Sequence, residues 1–174
     1  MKHKLLLIYS WFIRTLFYFF PDIPFFMRIR GFFYGLGMKN CGKDFQVTHD
    51  SIIKGLEKIK VGNNVFVGNH SIIFGSGITT IGDEVMLGPH VVLVSGNHTF
   101  KGQSYRWGKA DVGQIIIEKG CWIGANCTIV SGSRLPKYSI LGANSFICDF
   151  FDFEKSLYAG SPARLIKTFE FQIK

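Results

Sequence analysis

The chain has no two cysteines at Cys-x-x-Cys spacing. Its four cysteines in 174 residues therefore outline neither a paired metal motif nor a disulfide frame, and Cys121 and Cys127, on small inward positions, read as core thiols in a reducing cytoplasm. Acid is scarce at the start. Over residues 1–43, Lys2, Lys4, Arg14, Arg28, Arg30, Lys39 and Lys43 face Asp22 alone, so six of the formal +8 charges lie there. That asymmetry favours an anionic partner near the N-terminus. The positive charge is not laid along the rest of the chain as a phosphate-tracking stripe, so nucleic acid is not expected. A membrane-spanning run is also lacking. Leu5 to Phe20 is almost unbroken apolar, but it is shorter than the roughly 20 residues a bilayer requires and it contains Arg14. It has no small-residue cleavage site and ends abruptly at Pro21-Asp22-Ile23-Pro24, which argues against a cleaved signal peptide.

What is present in that segment is helical patterning. Ser10, Arg14 and Tyr18 recur every fourth residue and would form one narrow polar stripe on a helix. An aromatic and basic piece, Phe25 to Tyr34, follows, and a Gly-Leu-Gly corner at Gly35 to Gly37 leads onward. Residues 1–37 thus read as a hydrophobic, basic, helical segment with two destinations open. It packs on the rest of the chain or an oligomer interface, or residues 1–34 lie peripherally in a membrane interface against anionic lipid.

Beyond it the chain is governed by a period of six. Residues 117–146 divide into sixes that begin with Ile117, Ile123, Ile129, Leu135 and Leu141, and their fifth residues are small: Cys121, Cys127, Ser133, Ser139 and Ser145. Sixes beginning at Val61, Val67, Ile81 and Leu87 obey the same rule, and a weaker pair begins at Cys41 and Val47. Residues 73–80 are a six with two extra residues. At 3.6 residues per turn a helix would spiral such aliphatics around its whole surface, whereas short strands with a corner every six residues turn them all inward. Stacked coils of that kind make a parallel β-helix, here over residues 38–167, followed by a tail over residues 168–174. Residues 96–113 break the pattern with a polar, glycine-rich loop, and insertions in a solenoid collect on its binding face.

With these sixes stand Asn97-His98 at the mouth of the loop, Trp122-Ile123-Gly124-Ala125-Asn126 after it, and Ala159-Gly160-Ser161-Pro162-Ala163-Arg164 near the end. Together they resemble the hexapeptide-repeat acyltransferases, most closely the maltose and galactoside acetyltransferase type of sugar O-acetyltransferase and its relatives in surface-polysaccharide synthesis. The resemblance implies a left-handed parallel β-helix, a homotrimer, and acetyl-CoA in the groove between subunits. The hand rests on the resemblance alone, since parallel crossovers are ordinarily right-handed.

Transfer of an acetyl group from a thioester to an alcohol needs a base for the hydroxyl proton, and neutral imidazole has the matching pKa. His98 maps onto the catalytic histidine of that family. Motif alignment puts Ala125 and Ala143 along the pantetheine arm, Trp122 beside it, Cys148 at a position where the family has Thr or Ser, and Arg164 and Lys167 at the phosphates. Asn69, Tyr105, Arg106 and Trp107 are candidates for the acceptor pocket. His70 and His90, twenty positions apart, would stack on neighbouring coils. With His98 they resemble the zinc ligands of γ-class carbonic anhydrases, but two of those lie five residues apart and no histidine pair here does, so no metal is expected. The function implied is acetyl-CoA-dependent O-acetylation of a sugar, free or lipid-linked, by an enzyme in the cytoplasm or at the inner face of the membrane. An N-acetyltransferase of an amino or nucleotide sugar, a serine acetyltransferase-like enzyme, a γ-type carbonic anhydrase-like metal protein and a non-catalytic scaffold are the rivals; the long helical N-terminal domain of serine acetyltransferases has no counterpart here.

Overall fold

Every residue at position one of a six points into a single narrow core. In the computed structural model, which describes residues 1–170, Val61, Ile81, Ile117 and Leu135 stack in one column, each at most 1% exposed. The period of six arises because each coil has three flat faces. One face is the sheet of Asn40–Cys41, Ile59–Val61, Thr79–Ile81, Ile115–Ile117 and Ser133–Leu135. A second is formed by Gln46–Val47, Phe66–Val67, Met86–Leu87, Trp122–Ile123 and Ile140–Leu141, and the third by Ile52–Lys54, Ile72–Phe74, Val92–Val94, Thr128–Val130 and Phe146–Ile147. All pairings between successive coils on these faces are parallel. The chain is therefore a parallel β-helix.

The small fifth residues, Cys121, Cys127, Ser133, Ser139 and Ser145, are all buried. The first four bond backbone oxygens just inside the corners, as Cys127 Sγ does with Gly142 O at 3.0 Å, and Ser145 Oγ accepts from Gly160 N at 3.0 Å. Position four carries the left-handed residues: Asn64, His70, Glu84, His90, Asn126, Tyr138 and Asn144 have φ between 56° and 60°. Most of these types are tolerated there only because the corner is open to solvent, and Asn is favoured because its amide bonds locally. Glycine at position two is not in the left-handed region. A Cβ at Gly124 would lie 2.6 Å from the Ala143 amide of the next coil, so close stacking is what demands it.

The first coil has no coil before it, and two helices close its open edge. Helix α1, Lys2–Leu16, and helix α2, Pro24–Gly37, lie on it. Ser10 Oγ donates to the Ile53 carbonyl and Arg30 Nη1 to the Val47 carbonyl at 2.9 Å, both in first-coil strands. Ser10, from the expected polar stripe, is thus buried against the coil, because an unpaired strand edge needs donors. Gly31 lets α2 sit down on that edge, since a Cβ there would fall 1.7 Å from Phe45 O. The Gly35 to Gly37 corner expected from the sequence is instead the last turn of α2. Both glycines face the first coil too closely for a side chain, at 2.9 Å from Cys41 Sγ and 2.7 Å from Leu56 Cδ1. Burial pushes the Tyr34 hydroxyl up to about 12, so this core residue stays neutral. At the other end, Ser156–Gly160 extends the second face and Ala163–Thr168 folds back on it antiparallel. The last four residues of the tail lie outside the described residues.

Candidate active site

Residues 96–113 form an ordered hairpin, not an open loop. Gly96–His98 pairs antiparallel with Ala110–Val112, with His98 opposite Ala110. It leaves the third coil at the corner between the third and first faces. Ser95 fixes its root: the buried hydroxyl accepts from Gly77 N at 2.9 Å and reaches Gly77 O at 3.0 Å. Further out, Thr99 Oγ1 donates to Lys109 O at 2.7 Å, Phe100 and Tyr105 meet edge to face at 5.2 Å, and the Arg106 guanidinium lies 5.1 Å from the Trp107 ring. His98 is exposed at the base of this hairpin. Among the described residues its ring has no hydrogen-bond or ion-pair partner, which leaves both nitrogens free for a substrate.

A different ridge carries the residues expected to contact the cofactor. At the corner between the second and third faces, His90 N donates to Asn69 O, Asn126 N to Pro89 O and Asn144 N to Ala125 O, at 2.8, 3.0 and 2.9 Å. Asn69, Pro89, Ala125 and Ala143 therefore sit one above another on successive coils. Trp122, 48% exposed, stands on the second face of the same coil as Ala125. Two alanines in line leave a smooth strip on which a flexible thioester arm could lie against backbone. Exposed Arg164 and Lys167 are on the returning C-terminal strand, and exposed Cys148 follows the last strand of the third face. A small-residue strip together with exposed cations, Arg164 donating to Ala163 O at 2.9 Å and Lys167 lying 5.2 Å from the Phe169 ring, suits a phosphate-bearing thioester donor.

The lower end of this ridge holds a polar cluster that the sequence reading did not find. Asp22, in the link between the helices, accepts from the His49 amide at 2.8 Å and Asn69 Nδ2 at 3.1 Å, and its other contacts are His49 Nδ1 at 2.7 Å and Arg30 Nη1 at 2.7 Å. Burial alone would raise the Asp22 carboxyl. The His49 hydrogen bonds and the His49 and Arg30 charges outweigh it and hold the group below the usual carboxylate range. Asp50 behaves alike: burial opposes, and bonds from the His70 amide and Asn69 prevail. His49 has no role in the sequence reading, yet here it orients Asp22. The available signal was that Asp22 is the one acid in a strongly basic segment. His70 and His90 stack as expected, with ring centroids 4.8 Å apart. Among the described residues no group of three or more His, Cys, Asp or Glu is placed to hold a metal ion.

The expected site residues thus divide between two ridges of the prism. One face separates them, about five residues at ~3.3 Å each, or roughly 15 Å. Tyr105, Arg106 and Trp107 go with His98; Asn69 goes with Ala125 and Ala143. Within one copy an acceptor could not touch Asn69 while a base at His98 stood within the ~3 Å that proton transfer needs.

The repeating coils define a parallel β-helix built on six-residue repeats. Residues 114–148 match the family model described as hexapeptide repeat of succinyl-transferase. No curated protein sequence matches the chain at a significant level. Among solved structures, a maltose O-acetyltransferase from Clostridium difficile 630 superposes with a TM-score of 0.84 at 24% identity, covering 97% of this chain and 88% of that one. A galactoside acetyltransferase in complex with coenzyme A gives 0.81 at 20% identity, with 97% and 86% covered. A hexapeptide-repeat acetyltransferase from Vibrio cholerae O1 biovar eltor, complexed with acetyl coenzyme A, gives 0.69 at 20%, with 95% and 87% covered. The chain has the β-helix fold of these acetyltransferases over nearly its whole length.

Proposed function

We propose that this chain is an acetyl-CoA-dependent O-acetyltransferase that acylates a sugar hydroxyl, with surface-polysaccharide synthesis as its setting. The observation that carries the reading is the unpartnered His98 imidazole at the root of a hairpin, on a solenoid whose neighbouring ridge is reduced to Ala125 and Ala143. His98 takes the acceptor proton as the hydroxyl oxygen attacks the thioester carbonyl carbon. The C–S bond then breaks, and the imidazolium returns the proton to the departing CoA sulfur. Ala125, Ala143 and Trp122 hold the pantetheine arm, Cys148 lies beside it, and Arg164 and Lys167 meet the phosphates. Asn69, oriented by Asp22 and Asp50, and the Tyr105, Arg106 and Trp107 tip select the acceptor.

Separation of the two ridges supports a trimer. A ring closed by a threefold axis sets each hairpin ridge against the alanine ridge of its neighbour, a heterologous contact that closes. Three such clefts would each draw His98 from one copy and Asn69 from the next. The same reading places the enzyme in the cytoplasm at the inner face of the membrane, where lipid-linked sugars are acceptors.

Release of CoA thiol from acetyl-CoA across a panel of sugars and nucleotide sugars tests the activity. His98→Ala should lower kcat on the order of 10²–10⁴-fold while CoA affinity holds. Equal turnover by the variant would remove His98 from the chemistry, and no thiol release with any acceptor, together with no CoA binding, would remove the function.

A further inference from the structure

The two capping helices bury polar groups beside apolar Ile13, Met27 and Tyr34 and still leave a wide apolar side outward. Their polar residues Ser10 and Arg30 are buried on the first coil, at 4% and 2% exposure, while the outward side of α1 presents Leu5, Ile8, Trp11, Phe12 and Leu16, each 49–63% exposed. Phe25, Phe32 and Leu36, spaced seven and four apart on α2, are 62–65% exposed, and Phe19 in the link is 91% exposed. The cap has already satisfied the open strand edge with its other side, so closing the solenoid accounts for none of these residues. Singly exposed apolar residues are ordinary; a group of Leu, Ile, Phe and Trp patterned along two helices and the link between them, on the side away from the coil, is not.

The charges around this surface select its occupant. Lys2 and Lys4 are exposed at the start of α1 and Lys39 and Lys43 just beyond α2, while Arg28, between Phe25 and Phe32, is paired with Asp44 at 2.5 Å. The single acid of residues 1–43, Asp22, is turned to Arg30, His49 and Asn69. A second copy meeting this face about a twofold axis would set lysine against lysine with no carboxylate of the segment free to separate them. An anionic bilayer offers the complement to both features, phosphate for the cations and acyl chain for the aromatics. Neither helix is long and apolar enough to cross a membrane, so both would lie in its surface.

We propose that the outward faces of α1 and α2 form a docking surface for an anionic phospholipid membrane, with Trp11, Phe12 and Phe19 entering the headgroup region. This deepens the membrane placement proposed above and depends on no step of the transfer chemistry. Docked by its cap, the solenoid stands away from the bilayer. The hairpin of the third coil is then two coil steps, about 10 Å, plus one helix diameter, also about 10 Å, from the surface. His98 would face sugars displayed at the height of a lipid-linked glycan.

Full-length protein is sedimented with sucrose-loaded vesicles of phosphatidylcholine, with and without phosphatidylglycerol. Binding should require the anionic lipid and fall with salt. Lys2→Gln with Lys4→Gln should weaken it about 25-fold, about fivefold per charge, and Trp11→Glu with Phe12→Glu should abolish it without changing the circular dichroism spectrum. Trp107→Phe with Trp122→Phe leaves Trp11 as the one tryptophan, whose emission should shift to the blue and be quenched by brominated acyl chains. Failure to bind, binding unaffected by Trp11→Glu with Phe12→Glu, or unquenched Trp11 overturns the proposal. So does loss of assembly mass in the Trp11→Glu with Phe12→Glu variant without any vesicle binding, which would make the face a contact between copies. Vesicle binding without thiol release, or the reverse, separates the fate of this surface from that of the enzyme.

Discussion

Arg30→Ala tests the joint on which the cap and the acceptor end of the ridge both depend. Arg30 is 2% exposed and all five of its N–H groups have an acceptor. Nη1 meets Asp22 at 2.7 Å and Val47 O at 2.9 Å, Nη2 meets Phe20 O at 2.5 Å and Pro21 O at 3.1 Å, and Nε meets Phe17 O at 3.4 Å. Truncation to alanine takes the guanidinium from four carbonyls and from Asp22 at once, leaving the carboxylate with His49 and Asn69 but without its buried cation. Removing one partner of a buried pair costs about 3–5 kcal/mol. For a chain of this length that is a fall in Tm of roughly 6–20 °C, at about 2–4 °C per kcal/mol. Thermal and urea unfolding followed by circular dichroism measure it. Arg30→Lys should recover only part of the loss, because a single ammonium cannot fork toward the link between the helices and toward Val47 together. The cost should fall in the double variant with Asp22→Asn, where no uncompensated carboxylate remains. An Arg30→Ala protein within about 1 kcal/mol of the parent, the level of an exposed pair, would refute the account of the cap.

Two further outcomes follow from the thiols and the carboxylates. Burial pushes the Cys121 thiol up to about 12 and raises that of Cys127, so a thiol reagent should label exposed Cys148 in the native protein and reach those two only on unfolding. If Cys148 lies beside the pantetheine arm, acetyl-CoA at ten times its Kd should slow that labelling roughly tenfold; an unchanged rate would take Cys148 out of the site. Because the folded-state pKa of Asp22 lies below its unfolded value, its contribution to stability is complete above the usual carboxylate value of ~3.9 and is lost as pH falls through the folded value. In that window the unfolded state binds more protons, so stability rises with pH; Asp22→Asn should flatten the slope of Tm against pH below about 4, and an unchanged slope would mean that the His49 and Arg30 contacts do not act on it.

The sequence alone determined the coils. A side chain's inward or outward direction in a three-sided coil depends only on its place within six residues, so Cys121, Cys127, Ser133, Ser139 and Ser145 could be placed in the core by counting. The same counting stacked His70 on His90, because the two extra residues of 73–80 fall between the sixes and leave equal positions in register. Tertiary structure alone decided what counting does not reach. Asp22, His49 and Asn69 are brought together from the link, the first coil and the second coil, a meeting that requires knowing how a helical cap lands on a strand edge. It also decided which side of α1 is hidden: the sequence marks a polar stripe through Ser10 without its direction, and the unpaired carbonyls of the first coil drew Ser10 inward, leaving Leu5, Ile8, Trp11, Phe12 and Leu16 outward. Likewise Asn69 and His98 are near neighbours as a list of motifs, yet one flat face keeps them apart within a single copy, because successive corners of a prism point in different directions.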